Sequence, residues 1–205
     1  LLLSMPDRST KKGRRDMVML TVLYDTAARV SELIDIRICD VRLDVPAVIT
    51  LHGKGRKIRS VPLMKQTVDL LKVYFEENRI DPVRHSDLPL FWNTHRKKLT
   101  RSGVTYILRK YVEMAQGVSS DMPLNVSPHK LRHTKAMHLV QANVNPVYIK
   151  DFLGHADIST TEIYARADNE AKRSALEKAT EHLRLPPVTN WEQDSELIDW
   201  LSSLG

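Results

Sequence analysis

Four side chains in the second half of the chain belong to types that can hold a phosphate and attack it. They are His129, Arg132, His155 and Tyr164. The arginine follows the first histidine by three positions, which places both on one face of a helix. A planar guanidinium matches two phosphate oxygens, a histidine can donate to a phosphate or take up a proton, and a tyrosine hydroxyl can be a nucleophile. The set therefore predicts a site for covalent chemistry on a phosphate.

The first two of these residues lie at the start of a predicted helix. Ser127 is a favourable N-cap and Pro128 suits the first helical position, so the helix should begin here. His129 then falls in the first turn, where free backbone N–H groups and the helix dipole favour an anion. Arg132 follows on the same face, which directs both side chains toward one ligand.

The other two residues follow the ends of further short helices. A helix is predicted from Asn145 to Gly154, because Asn-Pro opens helices and glycine tolerates the positive φ of a helix stop. His155 comes directly after that stop. Residues 159–162 (Ser-Thr-Thr-Glu) have the spacing of a capping box and predict a third helix that carries Tyr164 in its first turns.

An arginine in the first half of the chain is a further candidate. Residues 14–28 are apolar almost all round, as in a buried helix, and Arg29 follows them directly. Residues 31–34 predict a second short helix. A guanidinium at the end of a buried helix needs a partner, and an ion pair with Glu32 or Asp35 is the simpler reading. The alternative is a fixed guanidinium that awaits a phosphate.

Residues 47–61 change period and predict a β-hairpin. The segment 47–51 is β-branched, Gly53–Gly55 has turn chemistry, and alternation resumes at Lys57. Four basic residues lie at or near the tip: Lys54, Arg56, Lys57 and Arg59. Such a tip is either a solvated turn or an element that enters a DNA groove, with one lysine placed to give up a proton.

Most of the remaining chain has helical periodicity. Residues 66–78 place Val68, Leu71, Tyr74 and Phe75 on one core-facing side, residues 100–116 form an amphipathic pattern, and residues 168–183 are rich in helix formers. We therefore predict an α+β fold that is predominantly helical, with a small antiparallel sheet around the hairpin.

The composition favours a polyanionic partner in a reducing compartment. Lys and Arg number 31 against 25 Asp and Glu, a formal charge of +6, with a pI near 9.4. The single cysteine, Cys39, excludes an internal disulfide, and its apolar neighbours predict a buried thiol. No apolar run reaches the roughly 20 residues that span a bilayer. We expect a cytoplasmic protein, and the start without methionine predicts a piece of a longer chain.

A metal or nucleotide cofactor is not predicted. His129 and His133 have the i, i+4 spacing of zinc ligands, but Lys130 stands where a glutamate would activate a metal-bound water. A glycine-rich phosphate loop is also missing from the sequence. A metal hydrolase is therefore the least favoured reading, and chelator-insensitive activity would exclude it.

Taken together, these segments resemble the tyrosine recombinase (phage integrase) family, over about residues 20–165. The matching segments are Ser-Pro-His129-Lys-Leu-Arg132-His-Thr, Leu-Gly-His155, Ser-Thr-Thr-x-Ile-Tyr164, Ala28-Arg29-Val-Ser-Glu32-Leu and Gly-Lys54-Gly-x-Lys-x-Arg-x-Val-Pro-Leu. The nine-residue step from His155 to Tyr164 is that of the family. One departure is Thr26-Ala27-Ala28, where the family commonly has a glycine.

The resemblance implies a domain organisation and partners. Residues 1–185 would form the catalytic domain, and residues 186–205 a C-terminal tail helix that either docks on a neighbouring subunit or folds back on its own domain. A separate N-terminal DNA-binding domain would be absent from this chain. The implied partners are double-stranded DNA and copies of the protein in a tetramer on DNA, in a bacterial or phage-encoded, nucleoid-associated protein. Cofactors, metals, membranes and small-molecule substrates are not implied.

The resemblance also implies a reaction, in which DNA strands are cut and rejoined through a 3′-phosphotyrosine during integration, excision or transposition. Tyr164 would be the nucleophile and His129 its general base, and Lys54 would protonate the departing 5′-oxygen. The remaining residues would bind the phosphate oxygens: Arg29, Arg132 and His155. A type IB topoisomerase, which relaxes DNA with similar residues, and a DNA-binding relative without catalysis are the alternatives.

Overall fold

The computed structural model describes residues 1–53, 55, 57–123 and 125–154. Six α-helices lie in this part of the chain: α1 (Lys11–Asp25), α2 (Val30–Asp35), α3 (Lys65–Glu77), α4 (Arg101–Gln116), α5 (Pro128–Gln141) and α6 (Pro146–Leu153). Two short 3₁₀ helices, Leu2–Ser4 and Ile38–Asp40, complete the helical part. The prediction of a mainly helical α+β fold is confirmed.

The helix starts follow side-chain caps that are visible in the sequence. Ser127 Oγ accepts a hydrogen bond from the Lys130 N–H (3.2 Å) at the start of α5, and Thr100 Oγ1 accepts from the Gly103 N–H (3.0 Å) at the start of α4. Each contact satisfies one backbone donor that the first helical turn leaves without a partner. The predicted start of α5 is therefore confirmed.

The predicted hairpin belongs to a three-stranded antiparallel sheet. Strands β1 (Val41–Arg42), β2 (Val48–His52) and β3 (Ile58–Pro62) are hydrogen-bonded in the order β1-β2-β3. In the β2–β3 register, Ile49 is opposite Val61 and Leu51 is opposite Arg59. The sequence did not predict β1, because two residues are too few to show an alternating pattern.

The main hydrophobic core lies between α1, the sheet and the helices α2 to α4. The four apolar residues predicted to face the core from α3 are all buried, which confirms that prediction. A smaller cluster joins α5 and α6 to the turn after α1: Ala27, Ala136, Val140, Ile149 and Leu153. This second cluster fixes two helices of the candidate site against the turn that leads to Arg29.

The prediction of a buried Cys39 is wrong, since the thiol is exposed. Burial alternates along this segment. Ile36 and Ile38 are buried, at 1% and 0% exposure, whereas Arg37 and Cys39 are exposed. Cys39 therefore faces outward although its neighbours are apolar. Apolar composition alone does not identify which side of an irregular segment faces the core.

Several predictions fall on residues outside the described part of the chain. They concern the capping box at 159–162, the helix at 168–183 and the tail at 186–205. Among the described residues, none of the helices combines the length and apolar character needed to cross a bilayer. The same residues contain no group of three or more histidine, cysteine, aspartate or glutamate side chains that could hold a metal ion.

Candidate active site

Arg29 lies at the start of α2 and pairs with a buried carboxylate. Its Nη1 donates to Glu32 Oε1 at 2.8 Å, and its backbone N–H donates to Glu32 Oε2 at 2.7 Å. The Arg29 side chain is 42% exposed, whereas that of Glu32 is 2% exposed. The Arg29–Glu32 ion pair predicted from the sequence is thus confirmed. The Arg29 side chain stays partly exposed to solvent while Glu32 holds it.

The Glu32 carboxylate also binds a second arginine, Arg59 on β3. Arg59 Nη1 donates to Glu32 Oε1 and Arg59 Nη2 donates to Glu32 Oε2, both at 2.8 Å, which is the bidentate geometry of strong arginine–carboxylate pairs. Arg59 Nε donates to the backbone oxygen of Phe152 at 3.0 Å. One guanidinium thereby joins α2, β3 and the C-terminal end of α6.

The two arginines keep Glu32 ionised in spite of its burial. Burial by itself raises the pKa of the Glu32 carboxyl, but hydrogen bonds from Arg59 and from the Arg29 backbone, with the Arg59 charge, outweigh it. The pKa of Glu32 is thereby lowered from 4.5 to about 2. The pair is therefore charged at any pH at which the protein would work.

Two glycines bring the backbone of the predicted catalytic segments against this ion pair. A Cβ on Gly53 would lie 3.3 Å from Glu32 Oε1, and a Cβ on Gly154 would lie 3.0 Å from Arg59 Nη1. Gly154 also has φ 64°, as predicted for the helix stop. The residues that follow these glycines are Lys54 and His155.

Arg132 on α5 is buried, with 3% exposure, and joins the same region from another side. Its Nη1 donates to the backbone oxygen of Ala27 at 2.6 Å, and its Nη2 donates to the backbone oxygen of Leu153. Ala27 lies two residues before Arg29, and Leu153 lies two residues before His155. Arg132 therefore connects the turn that carries Arg29 with the end of α6.

Ala27, in the turn after α1, has a backbone conformation that glycine adopts more readily than other residues. Ala27 is fully buried and has φ 48°, in the left-handed region that costs a residue with a Cβ about 1 kcal/mol or more. Its carbonyl accepts the Arg132 hydrogen bond, and its methyl group packs in the α5–α6 cluster. The turn that leads to Arg29 therefore holds Ala27 in a strained backbone conformation.

His129 is exposed in the first turn of α5 and contacts His133, one turn later. Their Nε2 atoms lie 2.6 Å apart, with the ring planes at 87°. Burial, followed by the positive charges of His129 and Arg132, lowers the pKa of His133. The contact between the two rings orients His129 in the first turn of α5.

The structure therefore brings Arg29 and Arg132 into one region and places His129 one helical turn from Arg132. The other three predicted residues, Lys54, His155 and Tyr164, lie outside the described residues. Their positions in the site stay predictions. The immediate chain neighbours of Lys54 and His155 are at the Glu32–Arg59 pair, as the glycine contacts indicate.

Sequence reasoning placed Arg59 only among the basic residues of the hairpin tip. The two-residue alternation of side chains along a β-strand could have distinguished Arg59 from the other basic residues. Arg59 lies two positions before the buried Val61, so both side chains point to the same face of β3. A charged residue on the inward face of a strand requires a buried partner of opposite charge, and Glu32 is that partner.

The charge balance of the region suits an anion. Arg29 and Arg59 both bind the Glu32 carboxylate, and Arg132 binds the backbone of Ala27, two residues before Arg29, so these four side chains carry a net charge of +2. The first turn of α5 adds backbone N–H groups at its positive end. A phosphate group of a polyanion has the charge and the oxygen geometry that such a region binds.

Known proteins are similar to this chain in sequence and in fold. A profile of the phage integrase family matches residues 2–171. Tyrosine recombinase XerD of Listeria innocua is 40% identical over 166 residues, which is 80% of this chain and 54% of the relative. XerD of Staphylococcus epidermidis is 35% identical over 173 residues, which is 84% of this chain and 57% of the relative.

A solved structure of the XerH site-specific recombinase, bound to palindromic difH substrate in a post-cleavage complex, aligns with a TM-score of 0.70 and 26% identity. The alignment covers 85% of this chain and 48% of that one. The chain spans about half of the length of the relatives named here. Since the family profile covers most of the chain and the fold agrees, this chain belongs to the phage integrase family of tyrosine recombinases.

Proposed function

We propose that this chain is the catalytic part of a site-specific DNA recombinase, which cuts and rejoins DNA strands through a 3′-phosphotyrosine. The observation that carries the proposal is that Arg29 is held by the Glu32–Arg59 ion pair, while Arg132 is held by the backbone of Ala27, two residues before Arg29. A protein that only bound DNA would gain little from guanidinium groups fixed this rigidly to backbone oxygens and a buried carboxylate. The named relatives are recombinases, which favours strand exchange over topoisomerase-like relaxation.

In the proposed first step, the Tyr164 hydroxyl oxygen attacks the phosphorus of the scissile phosphodiester. The new bond is P–O(Tyr), and the bond that breaks is the one from phosphorus to the 5′-oxygen. The phenol proton goes to His129, which its contact with His133 orients. Lys54 supplies a proton to the 5′-oxygen, so that the products are a 3′-phosphotyrosine and a free 5′-hydroxyl.

The arginines stabilise the charge that develops on the non-bridging oxygens during this step. Arg29 is held from one side by Glu32, so its guanidinium is oriented before DNA arrives. Arg132 would act from the α5 side, and His155 would add a hydrogen bond. The covalent intermediate conserves the energy of the phosphodiester, so attack by a 5′-hydroxyl of another strand restores the DNA without a nucleotide cofactor or a metal.

The proposal extends to partners and domains. The formal charge of +6 suits double-stranded DNA as the substrate. We propose residues 1–185 as the catalytic domain, and a tetramer on DNA in which the tail at 186–205 docks on a neighbouring subunit. Deletion of residues 191–205 should then weaken cooperative assembly on DNA and leave the fold intact. Cooperativity that is unchanged by the deletion would remove the tail from the proposal.

The test is trapping of the covalent intermediate. The full-length protein is incubated with nicked duplexes from the DNA that flanks its gene, such that cleavage releases a short strand and cannot be reversed. A denaturing gel should show a protein–DNA adduct that forms equally well with a chelator present. If no duplex gives an adduct while the protein binds the same DNA, the proposed reaction is wrong and a DNA-binding relative without catalysis is the better reading.

A further inference from the structure

The Glu32–Arg59 ion pair contacts three chain segments that lead to proposed catalytic residues. Glu32 binds the Arg29 backbone and side chain directly. A Cβ on Gly53 would lie 3.3 Å from Glu32 Oε1, and one on Gly154 would lie 3.0 Å from Arg59 Nη1. The residues after these glycines are Lys54 and His155. One ion pair therefore lies against Arg29 and against the backbone that precedes Lys54 and His155, three of the proposed catalytic residues.

We propose that Arg59 is a positioning residue, whose guanidinium holds Glu32 and the end of α6 in fixed relation to each other and thereby aligns Arg29 with the segments that lead to Lys54 and His155. This inference rests on the proposed function, because alignment matters only if these residues act on one phosphate. Arg59 itself is not assigned a contact with DNA.

The geometry of Arg59 suits a positioning role better than a direct one. All three of its guanidinium nitrogens donate, two of them to the Glu32 carboxylate and Nε to the Phe152 backbone oxygen. Through these three bonds the Arg59 guanidinium holds the Glu32 carboxylate and the Phe152 backbone in a fixed relation.

The three contacts require an arginine and not simply a positive charge. The planar fork of a guanidinium binds both oxygens of a carboxylate and still presents Nε to a third acceptor. A lysine has a single terminal nitrogen and cannot occupy both Glu32 oxygens and the Phe152 oxygen with the same geometry. Arg59→Lys should therefore keep the charge but release the end of α6.

Loss of this alignment should slow the chemical step more than it weakens DNA binding. A misplacement of about 1 Å at a reacting centre can cost about a hundredfold in rate. DNA affinity, in contrast, depends mainly on the total of exposed basic contacts to the phosphate backbone. This difference separates a positioning role from a general loss of folded protein, which would lower the binding capacity and the adduct yield together.

The experiment compares Arg59→Met and Arg59→Lys with the wild type and with a matched control, Arg42→Met. Arg42 lies on β1 of the same sheet, is exposed, and donates its Nε to the Pro46 backbone oxygen. The full-length protein is used at saturating concentration with the nicked duplex on which the wild type forms the adduct. Three quantities are measured for each protein: the single-turnover rate of adduct formation, the affinity for the duplex, and the thermal unfolding midpoint.

We expect the rate to fall by about a hundredfold for Arg59→Met and about tenfold for Arg59→Lys, with affinities within about threefold of the wild type. Arg42→Met should keep the wild-type rate. A folded Arg59→Lys with the wild-type rate would overturn the inference, and so would failure of both Arg59 variants to fold, because Arg59 would then be needed only for stability. If the wild type forms no adduct, the proposed function fails first and the inference fails with it.

Discussion

Among the residues that the structure describes, Asp16 and Glu32 are both buried carboxylates paired with arginines, and they differ in what surrounds them. Asp16 on α1 accepts from Arg15 Nε at 2.9 Å and from the Tyr111 hydroxyl at 2.9 Å. Glu32 on α2 accepts instead from two arginines and a backbone N–H. The Asp16 cluster contains one cation for one anion, whereas the Glu32 cluster contains a surplus of positive charge.

The difference separates a structural anchor from a candidate binding site. Arg15 is 12% exposed and also donates to the Trp92 backbone oxygen at 3.0 Å, so the Asp16 cluster ties α1 to the chain before α4 without facing solvent. Burial and the Asp16 charge raise the pKa of Tyr111, which keeps its phenol neutral. The Glu32 cluster presents an exposed guanidinium and an unbalanced charge. A buried ion pair therefore marks a candidate site when cations outnumber anions around it.

The largest expected effect distinguishes the proposed nucleophile Tyr164 from Tyr111, which belongs to the Asp16 cluster. Tyr164→Phe removes the proposed nucleophile and should abolish adduct formation, with DNA binding retained. Tyr111→Phe removes a hydrogen bond to Asp16 and should lower the free energy of unfolding by about 1–3 kcal/mol, because a buried carboxylate oxygen loses its donor. Adduct formation by Tyr111→Phe should stay near the wild-type rate. A covalent adduct formed by Tyr164→Phe on the nicked duplex would show that another residue is the nucleophile.

The second prediction compares two arginine-to-lysine changes. Arg132→Lys should slow adduct formation by about 10²–10³-fold, since a lysine cannot copy a planar fork that stabilises phosphate oxygens, and loss of one such donor costs about 3–4 kcal/mol. Arg15→Lys at the Asp16 cluster should change the rate little. Single-turnover rates at saturating protein measure both effects. Near-normal cleavage by Arg132→Lys would remove Arg132 from the proposed mechanism.

The third prediction uses the pH dependence of stability at the Glu32 cluster. The pKa of Glu32 is about 2 in the folded protein, below its ordinary value of 4.5, so the ionised carboxylate stabilises the fold above about pH 4.5. That contribution is lost as the pH falls from about 4.5 toward 2. At about 1.4 kcal/mol for each pKa unit, it amounts to about 3 kcal/mol.

The measurement is urea denaturation of the wild type and of Glu32→Gln at several pH values. The amide does not titrate, so the difference in unfolding free energy between the two proteins should narrow by about 3 kcal/mol on going from about pH 6 to about pH 2. The rest of the chain titrates alike in both proteins and cancels in the difference. A difference that stays constant over this range would show that Glu32 is not held ionised by its arginines.

The sequence was sufficient to predict the elements that local rules determine. The cap at Ser127, the left-handed stop at Gly154 and the apolar face of α3 depend on neighbouring residues only, and the structure confirms the elements predicted from them. The Arg29–Glu32 pair was also predictable, because its members are three positions apart. Local spacing therefore predicted one part of the candidate site.

The rest of the site depends on long-range contacts that spacing does not reveal. Arg59 reaches Glu32 across 27 positions of sequence and Phe152 across 93. Arg132 reaches Ala27 across 105 positions. Such contacts follow from how α5 and α6 pack against the turn after α1, which the sequence does not specify in any local pattern. The same limit explains why the sequence does not distinguish Arg59 from the other basic residues at or near the hairpin tip.

The smallest expected effect tests whether the N-cap of α5, the helix that carries His129 and Arg132, contributes to the rate of adduct formation as well as to stability. Ser127 and Thr100 are N-caps with equivalent contacts at the starts of α5 and α4. Replacement of either by alanine should lower the unfolding free energy by about 1 kcal/mol. Only Ser127→Ala should also slow adduct formation, by about two- to fivefold, because fraying of the first turn of α5 displaces His129. Equal rates for the two variants, with equal losses of stability, would mean that the cap of α5 contributes to folding alone and that His129 does not depend on it.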